Sequence, residues 1–357
     1  MSLGSRSVLC ALGILAGCSN SFEESSRIDT LRVLAVVPEP ASGSPGQTST
    51  LELVIADGAA EAGTAGGSPR ALQVAWLAGC HNPPGRQFYA CYPLLREVAS
   101  QLSPRVTDTP GQKLPETVFG TGSRFELAVP EDILSAAPKA ASDTVHFGVS
   151  YAFFAVCAGQ LRPRVDFSDR VPLDCIDGQS GQALGRRDFV TGYATLYSYE
   201  GVTNHNPVLE SIHFGSTSLN ANVACTRTSD CASVVNAASA GFDEVCGSNG
   251  LCSPRVAACA SSGSCPSILI TPDVPATSAE LLPDGSGREI LWASFYATQG
   301  SFATATQLVN DRSSGFIADH GSYFHAPKSS AGPSTIWITV NDERGGVASQ
   351  SFEVWSR

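Results

Sequence analysis

Cysteine carries most of the reactive chemistry in this 357-residue chain, which has twelve of them. Cys10 and Cys18 lie near the start. The others are Cys80, Cys91, Cys157, Cys175, Cys225, Cys231, Cys246, Cys252, Cys259 and Cys265. Four of these ten precede residue 203 and six follow it. Cys-x-x-Cys spacings are absent, and no histidine stands among the last six, so the ligand set of a structural zinc site is missing. An even number of widely spaced cysteines is the composition of a disulfide framework. The first four allow three pairings.

The histidines are His81, His146, His205, His213, His320 and His325. His320 and His325, with Asp311 and Asp319 nearby, are the best candidates for a metal ion. A spacing of five puts two strand residues on opposite faces, so these would converge only in a loop. They are read as ordinary surface histidines. Asp342 and Glu343 adjoin a glycine turn and suggest calcium, but a calcium ion takes six or more oxygens. No metal and no cofactor is expected. Neither a Gly-x-Ser-x-Gly elbow, a His-Glu-x-x-His helix, a phosphate loop nor a dinucleotide fingerprint occurs. No catalytic residue is assigned, and the chain is read as a non-enzyme.

Charge narrows the partners. Aspartate and glutamate number 33 against 22 lysines and arginines, a net charge of −11. The lysines are Lys113, Lys139 and Lys328, and no basic stripe forms, so nucleic acid is excluded as a partner.

The elements that must position these residues are short strands. Leu31 to Val37 is largely apolar. Leu51, Leu53 and Ile55 alternate, as do Val74, Trp76 and Ala78, and again Phe125, Leu127 and Val129. Val145 to Cys157 is long and aromatic, and Asp188 to Tyr199 follows. After Asn204-His205-Asn206-Pro207 come strands around Ile212 and Phe214, Ile290 to Tyr296, Ser322 to Pro327, Thr335 to Asp342 and Ser351 to Trp355. Period-two runs between Gly/Pro turns mark an all-β chain. Trp76 and Trp292 are read as core. Trp337 is out of phase with Ile336 and Ile338, which puts it on the outer face, where an exposed indole marks a contact site. A platform of these three with Trp355 is the ligand-binding alternative.

At the N-terminus, Arg6 precedes an apolar run from Val8 to Gly17. Ten residues are too few to span a bilayer, which takes about 20. The run ends Leu15-Ala16-Gly17-Cys18, which resembles the lipobox of bacterial lipoproteins. That resemblance implies a signal peptide at 1–17, cleavage before Cys18 and acylation of its thiol and amine. Two or more acyl chains give stable anchoring. Ser19, where aspartate favours inner-membrane retention, implies the outer membrane. Residues 18–27 read as a flexible tether.

Residues 28–203 resemble an immunoglobulin-like domain of bacterial surface lipoproteins, through the opening strand, the turn at Pro45-Gly46, Trp76 and the last two long strands. The departures are insertions at 79–123, with a short helix around Leu94 to Leu102, and at 158–187. Residues 204–357 resemble a second, PKD-like or immunoglobulin-like sandwich. It carries a disulfide-rich insert at 221–265, where Cys225 to Cys231 and Cys246 to Cys252 resemble a small exported cassette. The insert is poor in large apolar residues, so crosslinks must substitute for a core, and it is expected to be dispensable for the sandwich. The fold expected is therefore all-β, two immunoglobulin-like β-sandwiches, the second carrying the insertion.

In such a sandwich the strands ending near Cys80 and at Cys157 run antiparallel side by side. Their ends lie at opposite poles, beyond the roughly 7 Å that a disulfide spans. The resemblance thus implies local bridges, Cys80–Cys91 and Cys157–Cys175. Pairing within the insert stays open.

The function expected is that of a membrane-anchored surface lipoprotein with a non-catalytic binding, adhesion or scaffold role, toward a protein or glycan partner. Two alternatives remain. One is a carbohydrate-binding module or unrecognised hydrolase using the insertions at 79–123 and 158–187. The other is a calcium-stabilised adhesion module.

Overall fold

The computed structural model describes residues 24–61, 70–101, 118–139, 145–164, 171–219, 223–231, 242–257, 259, 265–327 and 332–356. The expected leader, Cys18 and the expected tether up to residue 23 lie outside the described residues. The chain is all-β.

In the first half the strands are β1 (Leu31–Glu39), β2 (Thr48–Asp57), β3 (Gln73–His81), β4 (Phe119–Thr121), β5 (Arg124–Ala128), β6 (Phe147–Cys157), β7 (Gln160–Pro163), β8 (Leu173–Ile176) and β9 (Phe189–Tyr199). A three-stranded sheet, β1-β2-β5, faces a four-stranded sheet, β4-β3-β6-β9. Leu51, Leu53, Trp76, Phe125, Leu127 and Leu196 fill the space between them. Trp76 is fully buried, stacks on Phe125 at 5.5 Å and donates its indole N–H to the Gly122 carbonyl at 2.9 Å. A buried indole needs such a partner.

β6 is buried along ten of its eleven residues. A strand covered on one face alternates, whereas one covered on both reads as a continuous apolar run. The second cover comes from the two insertions. A helix at Tyr92–Gln101 and the hairpin β7-β8 close over the outer face of the four-stranded sheet. Leu95, Val98, Tyr151, Phe153, Val171 and Leu173 form a separate core there. Cys80–Cys91 and Cys157–Cys175 pin these insertions, with Cα atoms 5.7 and 5.6 Å apart. The insertions are therefore a third packed layer over the sandwich.

The second half contains β10 (Ser211–Phe214), β11 (Thr217–Leu219), β12 (Asp243–Cys246), β13 (Cys252–Val256), β14 (Ser267–Asp273), β15 (Leu291–Ala297), β16 (Ser301–Phe302), β17 (Thr306–Asp311), β18 (Gly315–Phe316), β19 (Ser322–His325), β20 (Ser334–Asp342) and β21 (Val347–Ser356). Sheet β11-β10-β14-β19-β16 faces sheet β12-β13-β21-β20-β15-β17-β18. Ile212, Phe214, Phe295, Phe324, Ile336 and Ile338 are among the residues between them.

The cysteine-rich insert departs from expectation. β13 pairs in parallel with β21 at Arg255–Trp355 and Val256–Ser356, so the insert extends the larger sheet. Phe242 and Val256 reach the main core, and Phe242 packs edge-on against Phe214 at 4.8 Å. Glu353 accepts hydrogen bonds from the Ser248 backbone N–H and hydroxyl. The insert is thus built into the sheet by backbone pairing that its sparse apolar content does not reveal. Its bridges are Cys225–Cys246, Cys231–Cys252 and Cys259–Cys265. The sulfurs of Cys225, Cys231 and Cys252 lie within 4.8 Å of one another. Each is tied up in a disulfide, whereas a metal ligand must be a thiolate. Five disulfides mark an exported protein, and no described helix is long and apolar enough to cross a membrane.

Two tryptophans also differ from the sequence reading. Trp292 is only half-buried, because the inward positions of β15 are Leu291, Ala293, Phe295 and Ala297. Trp337 does lie on the outer face of β20, yet it is only 8% exposed. The first half of the chain covers it.

Candidate functional site between the two halves

Trp337 packs with Ile28 and Ala56, flanked by Leu34, Val54 and Tyr296. The end of the expected tether is part of this joint. Ser26 is buried, Ala297 donates its N–H to the Ser26 carbonyl at 2.8 Å, and Ile28 donates to the Ala297 carbonyl at 2.9 Å. Residues 26–28 therefore dock beside β15 and do not belong to the flexible tether expected at 18–27.

At the other end of β1 the connecting residues are clasped from both sides. Asn204 is buried; its backbone N–H donates to Ser42 Oγ at 3.0 Å and its Nδ2 to Asp342 Oδ2 at 3.0 Å. Asn206 Nδ2 donates to the Pro38 carbonyl at 2.6 Å, and its Oδ1 accepts from Val347 N–H at 2.8 Å. Arg344 is buried beside them. Its Nε donates to Glu289 at 2.7 Å, its Nη2 to Glu280 at 2.5 Å and its Nη1 to the Thr203 carbonyl at 3.3 Å. Burial raises the Glu289 carboxyl above the usual range, opposed by the Arg344 guanidinium. Burial likewise raises Asp342. Asn204-His205-Asn206-Pro207 thus reads in sequence as a boundary and is in the structure a packed joint.

The turn after β20 is tight because its glycines permit it. Gly345 has φ 97°, and a Cβ there would stand 3.4 Å from the Thr195 carbonyl of β9. A Cβ on Gly346 would meet Asp342 at 2.2 Å. Glycine is needed at Gly345 for its positive φ and at Gly346 for the close approach. The turn leans on β9 and leaves an open groove of about 320 Å³ beside it, lined by Pro38, Tyr193, Thr195, Tyr197, Glu343 and their neighbours.

β9 lines the groove along its edge, with Ala194 beside Val36 and Leu51 on the core side and Tyr193, Thr195 and Tyr197 on the other. Ala194 and Leu196 point into the core, which turns Tyr193, Thr195, Tyr197 and Tyr199 to the opposite face. Tyr193 stacks on Phe88 of the first insertion at 4.3 Å and is still 43% exposed. Tyr197 stacks on Tyr199 at 5.9 Å, and burial pushes both phenols up. The acids of the groove are committed to the turn. Asp342 accepts from the Arg344 and Gly346 N–H groups at 2.8 and 2.7 Å, besides Asn204. Glu343 is paired with Arg312 and accepts from Ile290 N–H at 3.2 Å. Each carboxylate has hydrogen-bond donors already, so the arrangement holds a surface in shape.

The sequence-selected metal candidates do not converge on such a site. His320 is buried, and its two ring nitrogens face the Ile317 and Pro272 carbonyls at 2.5 and 2.9 Å. It is a core histidine, contrary to the surface reading, because β19 enters the core immediately after it. Asp311 closes its own turn through Ser313 and Ser314. His325 lies in β19, paired with Ser267 and Ser301. The tyrosines of β9 were not singled out in the sequence, although their alternation in the run from Asp188 to Tyr199 was the available signal. Nothing in the sequence pointed to Arg344 with Glu280 and Glu289.

No family model and no curated protein matches the chain. Among solved structures it is similar to Escherichia coli alpha-2-macroglobulin activated by porcine elastase, with 10% identity over 94% of this chain and a TM-score of 0.18. The chain spans 22% of that protein's length. It is also similar to the three N-terminal domains of the bacteriophage RB49 highly immunogenic outer capsid protein, 10% identical over 92% of this chain and 100% of that one, with a TM-score of 0.17. Scores this low leave the site to be read from its own geometry.

Proposed function

We propose that the chain is a lipoprotein, cut before Cys18 and anchored there to the outer membrane, that acts by binding a protein or glycan partner without catalysis. The observation that carries this reading is the placement of the N-terminal residues relative to the groove. Residues 26–28 dock at the β15 end of the joint, and the groove opens at the Pro38 end. Between them runs β1, nine residues long, which at about 3.3 Å per residue is roughly 26 Å. A tether leaving near Ser26 holds one end of the joint toward the membrane and turns the tyrosine-lined end away from it. The commitment of Asp342 and Glu343 to the turn favours binding over hydrolysis. The same commitment disfavours the calcium reading, because those oxygens already have donors.

The test has two arms in the native host. Metabolic labelling with an alkyne fatty acid should tag the wild-type chain and leave Cys18→Ser untagged; an untagged wild type defeats the anchoring. Purified chain should attach to envelope preparations from that host or its neighbours, and Tyr193→Ala, at an exposed position of the groove, should reduce attachment at least tenfold with an unchanged melting curve. Attachment indifferent to Tyr193 removes the binding role from this face.

A further inference from the structure

We propose that the groove between β9 and the turn at residues 342–346 is a binding site for a neutral oligosaccharide. This rests on the binding role argued above and names its ligand class. Three hydroxyls stand at alternate positions of one strand face, on Tyr193, Thr195 and Tyr197. Among the described residues none of the three has a hydrogen-bond partner within the chain. A comb of free hydroxyls beside two aromatic rings matches a sugar ring. Its hydroxyls exchange hydrogen bonds with the comb, and its C–H face lies on tyrosine. Tyr193 is pre-set for this, because the Phe88 stack fixes its ring at 4.3 Å while much of it stays open.

The other surfaces of the groove argue the same way. A ligand pocket usually encloses roughly 300–1,000 Å³, so about 320 Å³ suits one or two sugar rings of a chain that runs on into solvent. Glu343 and Asp342 stand on one wall and no lysine or arginine lines the groove. An anionic ligand meets repulsion there, in a chain of net charge −11, so uronate and sialylated glycans are disfavoured. A peptide added as a strand to the edge of β9 finds one acceptor taken and the next covered by the turn. The Tyr197 carbonyl accepts from Gly43 N–H at 2.8 Å, and Gly345 lies over the Thr195 carbonyl.

The experiment uses the full chain, extracted in a detergent without a sugar headgroup. It is titrated by calorimetry with maltotetraose, cellotetraose, N-acetylchitotetraose and mannotetraose, and with tetragalacturonate as the charged control. At least one neutral tetrasaccharide should bind with a dissociation constant of millimolar or better, and tetragalacturonate at least tenfold more weakly. Tyr193→Ala should weaken binding more than tenfold. Tyr197→Phe keeps the ring and removes one hydroxyl, and should weaken binding about threefold to tenfold, the range for a single net hydrogen bond. It also guards against a folding defect in the alanine variant. No neutral binder, equal binding of tetragalacturonate, or binding that both variants leave unchanged overturns the proposal. Envelope attachment that needs Tyr193 yet is not competed by any of these sugars overturns the sugar and leaves the binding role standing.

Discussion

Asp311 illustrates how one carboxylate holds a turn. It accepts from the N–H groups of Ser313 and Ser314 at 2.9 and 3.0 Å and from both hydroxyls. These donors pull its pKa from 3.8 down to about 2. A depressed carboxyl stabilises the fold above its unfolded pKa, and that contribution is lost as pH falls from about 4 toward 2. Carboxyl-detected NMR titration should place Asp311 near 2, and in Asp311→Ala the fall in stability between pH 4 and 2 should be shallower. A titration near 4 in the wild type overturns the capping role. At this scale the sequence was half legible. Asp311 stood beside His320 and His325 as a metal candidate, yet the pattern Asp-x-Ser-Ser is equally that of an Asx-type turn, and the hydrogen bonds to Ser313 and Ser314 chose between them. Trp337 was correctly placed on the outer face of its strand by its phase. What covers that face is Ile28 and Ala56, some 280 or more residues away in sequence.

Elements behave similarly. The insert at 221–265 looked separable because few of its residues are large and apolar, while its strands β12 and β13 extend the main sheet through β21. Deleting residues 223–257 removes Phe242 and Val256 from the core and uncovers the edge of β21. A buried phenylalanine alone contributes about 3–5 kcal/mol. The deletion should therefore lower the melting temperature sharply or abolish the cooperative melt, as read by circular dichroism. A melt within a few degrees of wild type means that the insert is an independent appendage. The bridges of the first half are clearer from sequence. β3 and β6 pair antiparallel, with Cys80 opposite Tyr151 and Gln73 opposite Cys157. Six residues of strand, at about 3.3 Å each, keep Cys80 and Cys157 roughly 20 Å apart, which removes one of the three pairings; of the two left, the structure has the local bridges that the resemblance implied.

For the whole molecule the question is whether the two halves move as one. Arg344, with its side chain 5% exposed, joins the linker to Glu289, whose side chain is fully buried. Removing one partner of a buried pair costs about 3–5 kcal/mol, because the other charge is left without compensation. Arg344→Met should thus destabilise the joint strongly. Arg344→Met/Glu289→Gln should recover much of the loss by removing the stranded carboxylate. Denaturant melts of both variants check this, with small-angle scattering reporting whether the halves separate. A single variant that melts like wild type removes the pair from the joint. The groove belongs to this scale as well, since a loosened joint parts Glu343 from Tyr193 and should weaken any ligand there.

The sequence by itself determined the all-β class, the oxidised state of the ten cysteines after Cys18 and the apolar face of most strands, though not of β15, where Trp292 was read as core. Those properties are local: strand side chains alternate with period two, and the count and spacing of cysteines are independent of the fold. Tertiary structure alone decided what lies against each face. β6 reads as a continuous apolar run because two insertions roof its second face. The groove gathers Pro38, Tyr193 and Glu343, residues that no periodicity connects. Alternation specifies a direction away from the strand, and only packing between distant segments determines whether that direction ends in core, in a joint or in an open groove.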